Sequence, residues 1–275
     1  MFNSFNSAIL ISFLDAKSIV NYASSIGIDT IDTAIAYGSS QKCLGKIGIR
    51  NHNIISKLPP IPDHQPNLEE WVNLHVQKSL EILEVNNLSA LLLHRPYQLF
   101  DKDKNGLWEV LIDLKTKGIV KKIGFSIYAP VELDDLYSSF KPDIIQAPYN
   151  LLDRRLEQSG WLQSLYDKNV EIHIRSIFLQ GLLLMSARDR PRKFDRWKAI
   201  WAQLENWTNK NNITKIAAAL AFALSDSRIS KVVIGVDSLN QLKEIISNYK
   251  LTSAFPNSIE IQDERLLNPS EWGSI

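Results

Sequence analysis

Cysteine is almost absent from this chain: Cys43 is the single thiol among 275 residues. One thiol excludes an intrachain disulfide and any metal cluster held by several thiolates. The residues around it, Gln41-Lys42-Cys43-Leu44-Gly45, have helical character, so a buried or half-buried thiol is expected rather than a nucleophile. Long apolar runs are missing too, and none approaches the roughly 20 residues needed to span a bilayer. The run from Ala8 to Leu14 has no basic residue before it and Asp15 directly after it, which argues against a signal peptide. There is no excess of one charge: 31 Lys and Arg stand against 30 Asp and Glu, a net charge of +1. That balance leaves no footprint for nucleic acid or a membrane surface. His52 and His64 have no His or carboxylate partner at metal-ligand spacing, so no metal is expected. Internal repeats and low-complexity tracts are also lacking. The missing leader and the missing spanning run together point to a cytoplasmic protein.

What is present is an alternation. With 45% hydrophobic and 22% charged residues, the composition is that of a globular protein. A chain of this length can bury roughly 75% of its unfolded surface. Candidate strands fall at 8–13, 28–32, 53–57, 88–93, 120–125, 143–147, 170–175 and 231–235, separated by segments of helical spacing. Boundary signals agree with this division. Asn67 and Glu70 have capping-box character. Pro130 fits a first helical turn, Gly27 and Gly118 follow helical stretches, and Asp153 can cap the helix carrying Arg154 and Arg155. No linker or composition shift interrupts the pattern. The fold class expected is therefore α/β, a single (β/α)₈ barrel domain over residues 1–275. An open doubly wound sheet is the rival, but it would want a Gly-x-Gly-x-x-Gly turn after an early strand, and none occurs. The stretch from Met185 to Asn212, with Trp197, Trp201 and Trp207, is too long for a simple connection and is expected to form an extra helical segment after the seventh strand.

The chemistry sits where apolar runs end. Asp32, Lys57 and His94 each close such a run, and Tyr37 lies five residues beyond Asp32. A core strand gains nothing by ending in Asp, Lys or His. In a parallel barrel, however, side chains at the carboxyl ends of the strands converge on one face, where active sites lie. Taken singly, each residue has a plainer explanation: a helix cap for Asp32, a solvated amine for Lys57, a rim or core imidazole for His94, a turn for Tyr37. Their joint occurrence on successive strand ends favours a proton-handling cluster. A free phenol has a pKa near 10, and an adjacent ammonium favours its ionised form. Asp32 can hold Lys57 charged and in place, while His94 can donate a hydrogen bond to a carbonyl oxygen.

The words Asp32-Thr33-Ala34 with Tyr37-Gly38, Ser56-Lys57, Leu92-Leu93-His94-Arg95-Pro96, Gly124-Phe125-Ser126, Gln146-Ala147-Pro148-Tyr149-Asn150 and Val233-Ile234-Gly235-Val236-Asp237 resemble those of the aldo-keto reductase family. The resemblance runs from about residue 16 to 250. It implies a (β/α)₈ barrel that binds NADP(H) or NAD(H) without a Rossmann motif and passes hydride between the nicotinamide and an aldehyde or ketone. By motif position it implies Tyr37 as general acid, Lys57 and Asp32 as its tuning pair, and His94 as orienter of the carbonyl. It further implies that Ser126 and Gln146 hold the nicotinamide carboxamide, and that Gly235, Val236, Asp237 and Gln241 wrap the adenosine end. Where many members place an aromatic ring against the nicotinamide this chain departs from the pattern with Arg175, so that stacking would fall to its guanidinium. Ser176, Gln180 and Gly181, in a string from Arg175 to Leu183 resembling one bacterial branch, complete the implied cofactor contacts. Three further departures stand out. A Gly-rich first strand is not recognisable in residues 1–15, Ile127 follows Ser126 where the family often has Asn, and 235–241 carry no Lys or Arg for a 2′-phosphate.

Six basic residues lie between Arg188 and Lys198, either as a solvated loop or as a contact to an anionic group. Trp71, Trp108 and Trp161 are expected to pack, and Arg154 and Arg155 to form structural ion pairs. Tyr97, Tyr128, Arg192 and Trp197 would suit a polar, sugar-like carbonyl substrate. The alternative to an enzyme is a nicotinamide-binding regulatory protein of low activity. A different barrel enzyme, an isomerase or hydrolase, would need paired carboxylates or metal ligands that the strand ends do not show.

Overall fold

Alternating strands and helices fill the computed structural model, which describes residues 11–249 and 259–274. Contacts gather in two compact units, one of residues 12–146 with 165–171, the other of residue 11 with 147–164, 172–249 and 259–274. The first unit opens with α1 (Phe13–Ser25), β1 (Thr30–Asp32), α2 (Ser40–Ile47), β2 (Asn53–Leu58), α3 (Leu68–Leu83) and β3 (Ala90–Leu93). It continues through α4 (Leu107–Thr116), β4 (Ile123–Ser126) and α5 (Glu132–Ser139) into β5 (Ile144–Pro148). Each strand pairs in parallel with the next, in the registers Asp32 with Ile55, Lys57 with Leu92, Leu92 with Gly124, and Ser126 with Gln146. Strands β3, β4 and β5 are buried along their whole length. This is the signature of parallel strands covered on both faces. Ile55, Ala90, Leu92 and Ile144 form one core cluster. Two glycines permit close approach: a Cβ on Gly45 would lie 2.0 Å from the Ile82 carbonyl oxygen, and one on Gly124 would lie 1.8 Å from that of Ile144.

The second unit holds α6 (Arg155–Gln158), β6 (Glu171–Arg175, its first residue in the first unit), α8 (Lys198–Lys210), α9 (Lys215–Ser225), β7 (Lys231–Val232), α10 (Leu239–Ser247) and α11 (Glu264–Leu267); α7 (Trp161–Asp167) is shared between the units. β6 and β7 pair in parallel, His173 with Lys231. Helix α9 is apolar almost all round, and Ile216 to Ala223 are all buried. Such a helix belongs inside the unit, not on its surface.

Seven of the eight expected strands are present among the described residues. The candidate strand at 8–13 is the correction. Residues 8–10 lie outside the described residues, residues 11 and 12 are not extended into a strand, and Phe13 begins α1. The cause is local: the Ser12 hydroxyl accepts the Asp15 amide at 3.1 Å, and Asp15 sits in the first turn. A Ser-x-x-Asp word caps a helix even when apolar residues surround it. The last strand shrinks from 231–235 to two residues, although the Val233 amide still reaches the Ile174 carbonyl at 2.8 Å. Other boundary signals hold. The Asn67 side chain accepts the Glu70 amide, and Gly27 and Gly118 adopt left-handed φ of 84° and 71°. Asp153 sits one residue before the N-cap Arg154, yet still accepts from the Arg155 amide and guanidinium. The extra helical segment is α8, preceded by a 3₁₀ turn at Arg192–Trp197.

Candidate active site

The end of β1 and the loop after it carry the first two residues of the cluster. The Thr33 amide continues the ladder onto the Ile55 carbonyl at 2.8 Å, and the Ile35 amide reaches the Lys57 carbonyl at 3.2 Å. The chain then turns, with the Tyr37 amide on the Ala34 carbonyl, and enters α2. A hydroxyl pair between Thr33 and Ser40, 3.2 Å apart, ties the two ends of this turn together. Tyr37 stands on it, 49% exposed. Lys57 is the penultimate residue of β2 and points into the unit, with 1% of its surface exposed. His94 directly follows β3, and its amide bonds to the Leu58 carbonyl at 3.3 Å.

These four side chains meet. The Lys57 ammonium donates to Asp32 Oδ1 and, at 3.1 Å, to the Thr33 carbonyl. The same ammonium lies 5.6 Å from the centre of the Tyr37 ring. The Tyr37 and His94 rings are 5.7 Å apart at 56°. An ammonium this deeply buried is tolerable only when paired, and Asp32 supplies the countercharge. The second oxygen of Asp32 accepts from the Gln146 side chain, Nε2 to Oδ2, at 2.7 Å. That bond joins the ends of β1 and β5, which are separated by three strands, so the sheet of this unit curls strongly enough for their side chains to face each other. Sequence reasoning assigned Gln146 elsewhere and missed this contact. It also missed Gln41, buried on α2, whose amide donates to the Ser56 hydroxyl at 3.0 Å beside Lys57. No local pattern signals either bond, since each joins residues distant in the chain.

Ser126 and Gln146 lie in the same unit as the cluster, both buried and paired in register on β4 and β5. A buried hydroxyl beside a buried amide is a donor and acceptor set suited to a carboxamide. Arg175, Ser176, Gln180, Gly181, Gly235, Val236, Asp237 and Gln241 all belong to the second unit. There, Arg175 donates to the Ser176 hydroxyl at 3.3 Å. Ser176, Leu179, Gln180 and Gly181 adopt φ of 61°, 47°, 52° and 84°. Three non-glycine residues in the left-handed region within five positions are costly, and such strain gathers at functional loops. The Asn150 amide pins this loop through the Ser176 carbonyl at 3.0 Å. In the other segment, the Gln241 side chain accepts the Asp237 amide at 2.7 Å, and Ser238 caps α10.

The plainer expectations find specific partners. Arg190 packs its guanidinium 4.4 Å from the centre of Trp201, and Arg196 packs 5.3 Å from that of Trp197. Arg155 bridges Asp153 and Glu264, while Arg154 lies over Phe222. Trp108 is buried against Phe125 and Phe140. Cys43 is half-buried. Among the described residues, no group of three or more His, Cys, Asp or Glu is placed to hold a metal. No helix among them is long and apolar enough to cross a membrane.

The model of the aldo/keto reductase family matches residues 4–263. The chain belongs to that family. Membership implies NAD(P)H-dependent carbonyl reduction. Among its relatives, the chain is 26% identical to D-arabinose 1-dehydrogenase of Saccharomyces cerevisiae, over 91% of this chain and 81% of that protein. It is 28% identical to the aldo-keto reductase YhdN of Bacillus subtilis, over 48% of this chain and 43% of that one. Thus the match spans most of the yeast relative but less than half of the bacterial one. Among solved structures, the apo form of the aldo-keto reductase AKR11C1 from Bacillus halodurans superimposes with a TM-score of 0.70 at 20% identity, over 97% of this chain and 88% of that one. That likeness shows the shared fold.

Proposed function

We propose that this protein is an NAD(P)(H)-dependent oxidoreductase that reduces an aldehyde or ketone to an alcohol, with Tyr37 as general acid. The observation that carries the reading is the buried Lys57 ammonium, fixed by Asp32 and 5.6 Å from the Tyr37 ring centre, with the His94 ring beside that phenol. Close positive charge favours phenolate over phenol, which makes Tyr37 a better proton donor than a free tyrosine. The proton leaves the Tyr37 hydroxyl for the carbonyl oxygen, and His94 orients that oxygen by hydrogen bonding. When bound, the nicotinamide supplies the hydride. Ser126 and Gln146 hold its carboxamide, which suits their burial and register. Positioned proton transfer of this kind contributes about 10²–10⁴-fold.

The eight second-unit residues from Arg175 to Gln241 are proposed as further dinucleotide contacts on the family resemblance, with the strained loop at 176–181 in support. Because 235–241 contain no cation, NADP(H) and NAD(H) both remain in the proposal, and a fluorescence titration comparing NADPH with NADH decides between them. A barrel in a single domain belongs to the same reading, as does a cytoplasmic location. The name of the yeast relative and the exposed rings of Tyr97 and Tyr128 support a polar, sugar-like carbonyl substrate. The test is Tyr37→Phe: dinucleotide binding should persist while turnover falls by several orders of magnitude, and undiminished turnover ends the assignment. Dinucleotide binding without oxidation across a panel of aldehydes and ketones would instead favour a regulatory role.

A further inference from the structure

We infer that Gln146 is a positioning residue for the proton-handling cluster, coupling the place of the nicotinamide carboxamide to the acidity of Tyr37 through Asp32. The inference rests on the proposed function and adds a second task for this side chain. Asp32 has two carboxylate oxygens, and each is used: Oδ1 by the Lys57 ammonium from β2, Oδ2 by the Gln146 amide from β5 at 2.7 Å. Two donors from opposite sides fix the plane of the carboxylate and so the place of the ammonium. Gln146 is 1% exposed, and it meets this carboxylate in a buried setting where a single N–H counts for more than in water.

The electrostatic consequence has a definite sign. The N–H dipole of Gln146 offsets part of the negative charge on Asp32. Without it, the potential around Lys57 and Tyr37 becomes more negative and the phenolate is disfavoured. The groups that meet here among the described residues include Asp32 from β1, Tyr37 from the loop after it, Lys57 from β2, His94 after β3 and the neutral Gln146 from β5. An amide committed to Asp32 can meet a carboxamide only with its other N–H and its carbonyl oxygen. If a carboxamide draws Gln146 away, Asp32 loses a donor. Occupancy of the nicotinamide site and the proton affinity of the phenol are thereby linked, and such linkage is reciprocal.

The test uses Gln146→Met, which keeps the length but removes the N–H, and Gln146→Glu, which sets a second carboxylate against Asp32. Phenolate absorbance of the dinucleotide-free protein is followed with pH, each variant being measured against its own Tyr37→Phe counterpart. The Tyr37 midpoint should rise by roughly half a pH unit in the Met variant and further in the Glu variant. At saturating dinucleotide, the limb of the turnover profile set by Tyr37 should move the same way. A residue that only touches the cofactor would raise the dinucleotide Kd and leave both pH readouts in place, and that result overturns the inference. Circular dichroism checks folding, and if the Met variant does not fold, the Glu variant carries the comparison. A wild-type protein that oxidises no cofactor would sink the proposed function, while the phenol titration would still decide the role of Gln146.

Discussion

Removing both partners of the Lys57–Asp32 pair should cost less stability than the two single removals added together. Lys57 has 2% of its side chain exposed and Asp32 has 15%, so both charges are largely out of water. Truncating one member of such a pair leaves a charge without compensation, at a cost of about 3–5 kcal/mol. In Asp32→Asn the charge that loses its countercharge is the ammonium, which keeps its hydrogen bond to the Thr33 carbonyl. In Lys57→Met it is the carboxylate, still served by Gln146, so this variant should fall at the lower end of the range. The double variant buries no uncompensated charge, and its loss should be smaller than the sum of the singles by about 2 kcal/mol or more. Urea unfolding provides the measurement. With a slope of about 3 kcal/mol/M, each single change should lower the midpoint by about 1–1.7 M. Single losses under about 1 kcal/mol, or strict additivity, would show that the pair is solvated and the site is not the desolvated cluster described here.

Three further outcomes follow from particular contacts. Gly124→Ala forces a Cβ to within 1.8 Å of the Ile144 oxygen, so β4 and β5 must separate; a loss of about 3 kcal/mol is expected by urea unfolding, with weakened dinucleotide binding through the displaced Ser126 and Gln146. Gln98 pairs both ways with the Ile61 backbone, at 2.9 and 2.8 Å, joining the loops after β2 and β3. Gln98→Ala should cost about 1–3 kcal/mol and speed hydrogen exchange at the Ile61 amide, and unchanged exchange would refute the lacing. Burial pushes the Asp226 carboxyl up, but hydrogen bonds and charge from Arg228 outweigh it and hold the group below the usual carboxylate range. A depressed folded value adds stability above the unfolded pKa of about 3.9 and loses it as pH falls through the lower folded value. The gap in thermal midpoint between the wild type and Asp226→Asn should therefore be full near neutral pH and close in acid.

The division between what was legible in the chain and what was not follows the range of the forces involved. Asp32, Lys57 and His94 could be placed on one rim because parallel strands end on one face, and an apolar run that closes on an ionisable group is a local signal. Tyr37 came with them because its loop is short. The capping word at Ser12 and Asp15 was equally local, and its weight against the surrounding apolar residues turned a candidate strand into the start of α1. The contacts between distant segments were invisible. Gln146 reaches Asp32 across 114 positions, and Gln98 reaches Ile61 across 37. Such bonds depend on how far a sheet curls and how loops fold back, and curl is a sum over many strand pairs that no single segment encodes. Residue order therefore decided which chemical groups stand at the strand ends, because side-chain alternation and capping act within a few residues. Which of those groups touch, and through which oxygen of Asp32, was decided only by how far the sheet from β1 to β5 curls.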